Sequence, residues 1–400
     1  MPSRLYSLFV FIGAFSLIGG ALFLMISTRL DQNTIEVVAT TSSQTATAAQ
    51  PLSVAASSSF AVTIAPTTTA PTIKKVAIAP IIKNTKRTPL PSTSLPPATT
   101  TPPTSQATRI QDPYNFPPES SDVINASARG ALVNILCMPR GGGSLQPISG
   151  SGVIIDSRGI ILTNAHVAQY MLLSEDPAID LSCQIRTGNP ARAQWTADVL
   201  YMPSVWVNSH VAEINASRPT GTGEHDYALL RITGSVSGAP LPTVFPSLPF
   251  DSREAIGFLG DQVLGASYPA EFIGGFAAEN DLYPVTSVSP IDQLLTFGIN
   301  TVDAISIGGV VEAQSGSSGG AVVNAWGRLI GIISTTSDAP TTAARDLHAI
   351  TLSYISHDLL TQSGSDLPTF LAGDLAAKEA DFNSNTLPGL TAQYIKALTK

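Results

Sequence analysis

From about residue 125 onward, short apolar runs alternate with turn-forming residues, and this pattern is typical of an all-β domain. The first runs are residues 131–138, 150–156 and 159–163, and similar runs continue to about residue 350. Short strands separated by regular turn signals indicate a barrel or a sandwich. We therefore predict an all-β globular domain over residues 121–365, closed by a helix at 353–362.

The amino-terminal segment has a different pattern, because residues 5–26 form a 22-residue, largely apolar run without a charge. At about 1.5 Å per residue, a helix of this length crosses a bilayer of about 30 Å. We predict that residues 1–30 are a transmembrane anchor that places the rest of the chain outside the cell membrane. The alternative is a cleaved signal peptide, whose apolar core is usually shorter, about 7–15 residues.

Residues 31–120 are dominated by Thr, Ser, Ala and Pro, with few large apolar side chains. Such a composition does not offset the entropy cost of folding, so we expect a disordered linker. The linker contains a loose basic cluster, which we interpret as solvated side chains; contact with anionic surface polymers is the alternative. The cluster consists of Lys74, Lys75, Lys83, Lys86 and Arg87.

Charge is distributed unevenly along the chain. Residues 1–110 hold eight Lys/Arg and two Asp/Glu, a net of +6, whereas residues 111–400 hold thirteen and 27, a net of -14. The domain therefore carries no basic surface of the kind that binds nucleic acid, and we exclude nucleic-acid partners.

The two cysteines, Cys137 and Cys183, fall in strand-like apolar runs. In an oxidising compartment they can form a disulfide between two strands of the same barrel. The alternative is a pair of small buried thiols. No cysteine or histidine spacing typical of a metal site is present, and we predict neither a metal nor a cofactor.

Three short stretches carry candidate chemistry. The first is T-N-A-H-V with His166, the second is D-Y-A-L-L with Asp226, and the third is G-S-S-G-G with Ser318. Glycines around a serine permit a tight turn that presents a hydroxyl together with inward-facing N–H groups. A serine needs such a turn, and a neighbouring base, to act as an acyl-transfer nucleophile.

These three motifs, in the order His, Asp, Ser, resemble those of trypsin-like serine peptidases. The run G-S-G-V-I-I-D followed by G-I-I-L-T-N-A-H-V, and the later strand beginning G-D-Q-V, are most similar to the bacterial Deg/HtrA branch. The resemblance covers roughly residues 125–360. It implies two six-stranded antiparallel β-barrels with the active site between them.

The resemblance also implies the role of each site residue. His166 would be the general base, Asp226 would orient it, and Ser318 would be the nucleophile. The N–H groups of Gly316 and Ser318 would form the oxyanion hole. Trypsin-type zymogens carry an aspartate just before the catalytic serine, but here that position is Ser317, so we predict no activation by ion pairing with a new amino terminus.

Substrate contacts follow from the same resemblance. Ser334 would lie near the Asp226–His166 pair, and the Ser334–Thr335–Thr336 backbone would pair with an extended peptide. Glu312 would lie at the floor of the primary pocket, where a buried carboxylate suits Lys or Arg. Because the side chain of Thr336 would narrow the entrance of this pocket, we prefer the interpretation that the pocket accepts small or medium apolar residues.

The sequence thus predicts a membrane-anchored, extracytoplasmic serine endopeptidase acting on protein or peptide substrates. The alternative is a catalytically latent, protease-like binding or adhesion module displayed on a stalk. Residues 366–400 are too few for the PDZ domain that most Deg/HtrA proteins carry, and we assign this tail no function. The sequence makes no prediction of the oligomeric state.

Overall fold

The computed structural model describes residues 112–140, 145–214, 216, 221–254, 256–271, 275–298, 300–337 and 339–399. The predicted anchor, and all of the predicted linker before residue 112, lie outside these ranges. Within the described ranges, no helix is both long enough and apolar enough to cross a membrane. The anchor and the linker therefore stay predictions.

Six antiparallel strands form a closed barrel in the order β1-β2-β3-β6-β5-β4. The strands are rich in Val, Ile and Leu, whose inward side chains fill the barrel, and closure removes unpaired strand edges. Val133, Ile161 and Leu230 are fully buried there. The first predicted barrel is thus confirmed. Its strands are β1 (Leu132–Pro139), β2 (Ile148–Asp156), β3 (Ile160–Thr163), β4 (Leu181–Thr187), β5 (Arg192–Tyr201) and β6 (Ala228–Ser235).

The second sheet has seven strands, in the order β8-β7-β11-β12-β13-β10-β9. They are β7 (Gln262–Ser267), β8 (Val285–Pro290), β9 (Gln293–Leu295), β10 (Ala304–Ser306), β11 (Ala321–Asn324), β12 (Leu329–Thr336) and β13 (Leu347–Thr351).

This sheet differs from the predicted closed, six-stranded barrel. Its two edge strands are consecutive in the chain, separated only by Ile291 and Asp292, so the sheet curls back on itself without closing. The break follows Pro290, which has no N–H to donate to a strand ladder. The next two N–H groups bond instead to Asp261 O and Ser306 O, at 2.9 and 2.8 Å.

The structure joins Cys137 and Cys183 in a disulfide. The two residues face one another across the β1–β4 ladder. The disulfide alternative, rather than the free-thiol alternative, is the one the structure contains.

Residues 112–119, which the sequence placed in the linker, contact the hairpin between β11 and β12. The Tyr114 hydroxyl donates to Asp251 Oδ2 at 2.7 Å and accepts from Asn324 Nδ2 at 3.1 Å. The Trp326 indole N–H donates to the Phe116 carbonyl at 3.1 Å. The packed region therefore begins before residue 121.

Eight α-helices are described around the two sheets. They are α1 (Ser121–Ala131), α2 (Ala165–Ser174), α3 (Ser204–His210), α4 (Gly275–Asn280), α5 (Leu352–Ser363), α6 (Leu367–Ala372), α7 (Leu375–Asn385) and α8 (Leu387–Leu398). The predicted closing helix corresponds to α5.

The last three helices pack against the first barrel instead of forming a separate tail. The rings of Phe370 and Phe382 lie 5.7 and 6.4 Å from that of Tyr201 on β5. Glu379 forms an ion pair with Arg231 on β6. Tyr394 is fully buried in the same apolar core. The hydrophobic core therefore extends almost to the end of the chain.

Because Phe382 belongs to this core, the variant Phe382→Ala should destabilise the whole domain. Removing a buried phenylalanine costs about 3–5 kcal/mol of unfolding free energy. Urea unfolding should show one transition shifted to lower denaturant. The neighbouring, exposed Asn383→Ala is the control and should stay within about 0.5 kcal/mol of wild type. An equally small change in Phe382→Ala would contradict the inclusion of α6–α8 in the core.

Candidate active site

His166 lies in the first turn of α2, directly after β3. Helix α2 begins at Ala165, and Asn164 is its N-cap residue in an extended conformation. The Asn164 side chain does not cap the helix; its Nδ2 donates to the Asp226 carbonyl oxygen at 2.8 Å. This bond joins the start of α2 to the segment before β6, so the backbone brings His166 and Asp226 together.

Asp226 is buried and accepts three hydrogen bonds. Its Oδ1 accepts from the His166 backbone N–H at 2.9 Å, and its Oδ2 lies 2.8 Å from His166 Nδ1. The Ser334 hydroxyl, from β12 of the second sheet, donates to the same Oδ2 at 2.9 Å. The carboxylate therefore fixes the imidazole orientation and leaves Nε2 as the free ring nitrogen.

The electrostatics of this pair favour an ionised aspartate. Burial alone would lower the pKa of His166, but the negative charge and the hydrogen bond of Asp226 outweigh burial and raise that pKa. Burial alone would raise the pKa of Asp226, but the charge and hydrogen bonds of His166 hold it below its usual range. Opposite charges in direct contact stabilise each other's charged form. The imidazole is therefore a stronger base than an isolated one.

Ser318 lies in the turn between β10 and β11, where Gly316 and Gly319 have positive φ angles of 94° and 84°. A β-carbon on Gly319 would lie 2.1 Å from the Ser151 carbonyl oxygen, so only glycine fits there. The Ser318 hydroxyl is 3.4 Å from the Ser334 carbonyl oxygen. No hydrogen bond joins it to His166 among the described residues. Catalytic hydrogen bonds are often long before substrate binds.

Two backbone N–H groups of this turn are available to a ligand. Among the described residues, neither the Gly316 N–H nor the Ser318 N–H donates to a protein acceptor. The intervening Ser317 N–H bonds to Gln314 O at 3.2 Å, and the Gly319 N–H bonds to Ile333 O at 2.8 Å. Alternate N–H groups are thus left free, as an oxyanion hole requires.

Ser151, a residue that the sequence did not single out, holds this turn in place. Its hydroxyl donates to the Gly316 carbonyl at 2.7 Å and accepts from the Tyr268 N–H at 2.9 Å. Its backbone N–H donates to the Ser318 carbonyl at 2.8 Å. The G-S-G motif contained this serine, but only the packing of the two sheets reveals its contacts.

Ser317 replaces the aspartate of the zymogen pattern and is buried. It accepts a hydrogen bond from Ser267 Oγ on β7 at 2.9 Å. The hydrogen bond between these two neutral hydroxyls therefore stabilises the turn.

Glu312 is completely buried and points into the second sheet. Its Oε2 accepts from Ser287 Oγ on β8 at 2.5 Å, and its carboxyl lies beside Gly265 on β7. Its Oε1 has no hydrogen-bond partner among the described residues. Burial raises the pKa of Glu312, and the Ser287 hydrogen bond only partly opposes this.

The predicted substrate-binding strand has an open edge. Within the described residues, β11 pairs with β12 only as far as Ile332. Ser334 is buried beneath Asp226, whereas Thr336 is exposed at the end of the strand. Unpaired backbone groups on such an edge can pair with an extended peptide.

The described residues contain no group of three or more His, Cys, Asp or Glu arranged to hold a metal ion. The site instead brings together an imidazole, the carboxylate that orients it, a hydroxyl and N–H groups without a protein acceptor among the described residues.

Residues 150–332 match a family model described as a trypsin-like peptidase domain. No curated protein matches the chain. Residues 150–332 therefore correspond to a trypsin-like peptidase domain, and the closed barrel with its curled partner sheet is a trypsin-like β-barrel fold. The matched range contains His166, Asp226 and Ser318. The Deg/HtrA assignment stays a prediction.

Glu312 should make the folded state less stable as pH rises. Its folded-state pKa is raised above the unfolded value of about 4.3. Stability from this group is therefore fully present below about pH 4 and is lost as pH rises towards the folded-state pKa. The variant Glu312→Gln should lack this loss, so the difference in unfolding free energy from wild type should grow as the pH rises above about 4.

Urea unfolding of the two proteins across this range measures the effect. The exposed Glu119→Gln serves as the matched control for the same chemical change outside the core. A constant difference for Glu312→Gln would show that Glu312 titrates normally.

Proposed function

We propose that the chain is a serine endopeptidase that cleaves peptide bonds through an acyl-enzyme. The observation that carries this proposal is the buried Asp226, bonded to the backbone N–H and Nδ1 of His166 and to the Ser334 hydroxyl. It lies beside a turn that holds the half-buried Ser318 and two N–H groups without a protein acceptor among the described residues. A peptidase-domain match over the same residues supports the reaction class.

In the proposed mechanism, His166 Nε2 takes the proton of Ser318 as its Oγ attacks the scissile carbonyl. Asp226 stabilises the resulting imidazolium without itself taking the proton. The N–H groups of Gly316 and Ser318 bind the developing oxyanion. His166 then returns the proton to the leaving amine, and a water molecule activated by the same histidine hydrolyses the acyl-enzyme.

Before attack, the Ser318 side chain must rotate from the Ser334 carbonyl towards His166. We propose that rotation about the single Cα–Cβ bond of Ser318, between staggered positions, makes this change while the backbone turn stays as it is. The hydroxyl pair of Ser267 and Ser317 orders this turn without a charged partner. We therefore propose that activation does not require a newly cut amino terminus.

We propose a preference for small or medium apolar residues on the amino side of the cleaved bond. The raised pKa of Glu312 favours a neutral carboxyl, which attracts Lys or Arg weakly. The exposed Thr336 side chain at the end of β12 would narrow the entrance of the primary pocket.

We propose that residues 5–26 anchor the protein in the cell membrane with the peptidase domain outside. The Cys137–Cys183 disulfide supports an oxidising compartment, since cytosolic thiols are kept reduced. The likeness of the motifs to the Deg/HtrA branch supports a role in surface protein processing or quality control.

One observation favours the alternative of a latent binding module. The Ser318 hydroxyl lies near the Ser334 carbonyl, and no hydrogen bond to His166 is described. If the serine did not rotate, the site would bind peptides along β12 without cleaving them.

Fluorophosphonate labelling of the full chain tests whether Ser318 is activated. These probes react with serines that have a functional base and oxyanion hole. Wild type should be labelled, and Ser318→Ala and His166→Ala should not. Ser315→Ala, which removes a neighbouring exposed hydroxyl, is the control and should be labelled like wild type. An unlabelled but folded wild-type protein would favour the latent module.

The variant Asp226→Asn should lower the rate of peptide hydrolysis by roughly four orders of magnitude, because the imidazole loses its orienting carboxylate. It should also shift the acidic limb of the pH–rate profile, where His166 loses its proton, to lower pH, since Asp226 raises the pKa of His166. The exposed Asp281→Asn should leave rate and profile unchanged. Turnover near the wild-type rate in folded Asp226→Asn would exclude the proposed role of this carboxylate.

A further inference from the structure

The segment that follows β7 contacts the Ser318 turn at Ser315. The Ala270 N–H donates to the Ser315 carbonyl oxygen at 2.8 Å, and the Ser315 N–H donates to Glu271 Oε2 at 3.2 Å. Two consecutive residues of the β7–β8 connection therefore bond to both backbone groups of Ser315.

The bond to the Ser315 carbonyl fixes the direction of the Gly316 N–H, one of the two proposed oxyanion-hole donors. A carbonyl oxygen and the N–H of the next residue belong to one planar unit and, in a trans peptide, point to opposite sides. With the Ser315 oxygen directed to Ala270, the Gly316 N–H is directed away from it. A β-carbon on Gly316 would lie 2.9 Å from the Ala270 nitrogen, so the two segments are in direct contact.

Arg345, in the connection between β12 and β13, holds the Glu271 carboxylate. Its Nη1 and Nη2 donate to the two Glu271 oxygens at 2.5 and 2.7 Å. The same Nη1 donates to the Ala313 carbonyl at 2.7 Å, and Nε donates to the Ala339 carbonyl at 2.9 Å. One guanidinium thus joins the β7–β8, β10–β11 and β12–β13 connections.

This ion pair is better shielded from solvent than an ordinary surface pair. The side chains of Arg345 and Glu271 are 11% and 29% exposed. Fully exposed pairs contribute little, whereas a bidentate guanidinium–carboxylate contact adds both strength and a fixed geometry. Arg345 therefore keeps the Glu271 carboxylate in place against the Ser315 N–H.

The pair and the hydroxyl contact between Ser267 and Ser317 act on different peptides of the turn. The hydroxyl contact lies at the residue before Ser318, whereas Glu271 bonds to the residue before Gly316. The motif around Ser318 contains no charge of its own, and two residues outside it supply one.

We propose that Glu271 and Arg345 are positioning residues that hold the Ser315–Gly316 peptide with the Gly316 N–H directed at the substrate carbonyl. Without the pair, this peptide can rotate and direct its N–H away from the site. The effect on turnover rests on the function proposed above, whereas the effect on the turn is measured without hydrolysis.

Amide hydrogen exchange of the full chain, resolved to single residues by mass spectrometry, tests the effect on the turn. In Glu271→Ala and in Arg345→Ala, the N–H groups of Ser315 and Ala270 should exchange at least about tenfold faster than in wild type, because local opening becomes easier.

The matched control is Asp156→Ala, which removes a bidentate carboxylate–guanidinium pair with Arg158 on the first barrel. It should leave the exchange of both N–H groups unchanged. Exchange at the wild-type rate in folded Glu271→Ala and Arg345→Ala would overturn the proposal.

Hydrolysis of a fluorogenic peptide with Ala before the cleaved bond tests the effect on turnover. Loss of an oxyanion-hole donor lowers kcat by roughly 10²–10³, so a donor that is misplaced part of the time should lower kcat by about tenfold or more. Because this interaction is made in the transition state, KM should stay within about twofold of wild type. The acidic limb of the pH–rate profile should also stay in place, since the His166–Asp226 pair is unchanged.

Two further variants separate positioning from stability. Glu271→Ala/Arg345→Ala should be no slower than either single variant, because both residues act through the same Ser315 contact. Arg345→Lys keeps the charge without the bidentate geometry, so its kcat should lie between those of Arg345→Ala and wild type. It serves the same purpose where Arg345→Ala does not fold.

Lower unfolding temperatures with wild-type kcat and KM in the folded variants would show a merely structural pair and would overturn the assignment. A wild-type chain that hydrolyses no peptide would contradict the proposed peptidase function instead. The exchange rates would then still decide whether the pair holds the turn.

Discussion

The buried carboxylate of Asp226 is the interaction on which the candidate site depends. An isolated carboxylate in a protein interior is strongly destabilising unless hydrogen bonds and an opposite charge replace its water shell. Here His166 supplies two donors and Ser334 a third. Because His166 belongs to the first barrel and Ser334 to the second sheet, satisfying this one charge requires both sheets in their correct relative positions. The hydrogen bonding of Asp226 and the relative position of the two sheets therefore depend on each other.

The Ser318 turn also depends on contacts between the first barrel and the second sheet. Ser151, from the first barrel, bonds to the carbonyl oxygens of Gly316 and Ser318. These bonds hold the peptide planes that follow Gly316 and Ser318, and so fix the turn in which the N–H groups of the same two residues have no protein acceptor among the described residues. The proposed oxyanion hole therefore lies in a turn of the second sheet that the first barrel holds in place. A perturbation of the sheet interface should therefore affect both Ser318, the proposed nucleophile, and His166, its proposed base, even where it lies far from both.

The sequence predicted those parts of the protein that local chemistry determines. His166, Asp226 and Ser318 each sit in a short motif whose glycines, small residues and adjoining strand are visible in sequence. The role of Ser151 is not visible, because its partners are more than 100 residues away and depend on tertiary packing. The break of the second sheet after Pro290 was missed because it depends on a single missing backbone N–H donor. The docking of α6–α8 was missed because it depends on burial against Tyr201, which is distant in sequence.

Through the conformation of His225, the position of Asp226 also depends on helix α5. A bulky residue with positive φ is disfavoured by about 1 kcal/mol or more, and persists only where its surroundings hold it. Tyr354 and Asp358 provide those contacts, one through the backbone N–H and one through the ring. Releasing them would let the backbone relax towards an ordinary conformation and would rotate the peptide that enters Asp226. Since three hydrogen bonds converge on that carboxylate, even a small rotation would lengthen at least one of them. Tyr354 and Asp358 on helix α5 are therefore mechanically connected to the Asp226–His166 pair through His225.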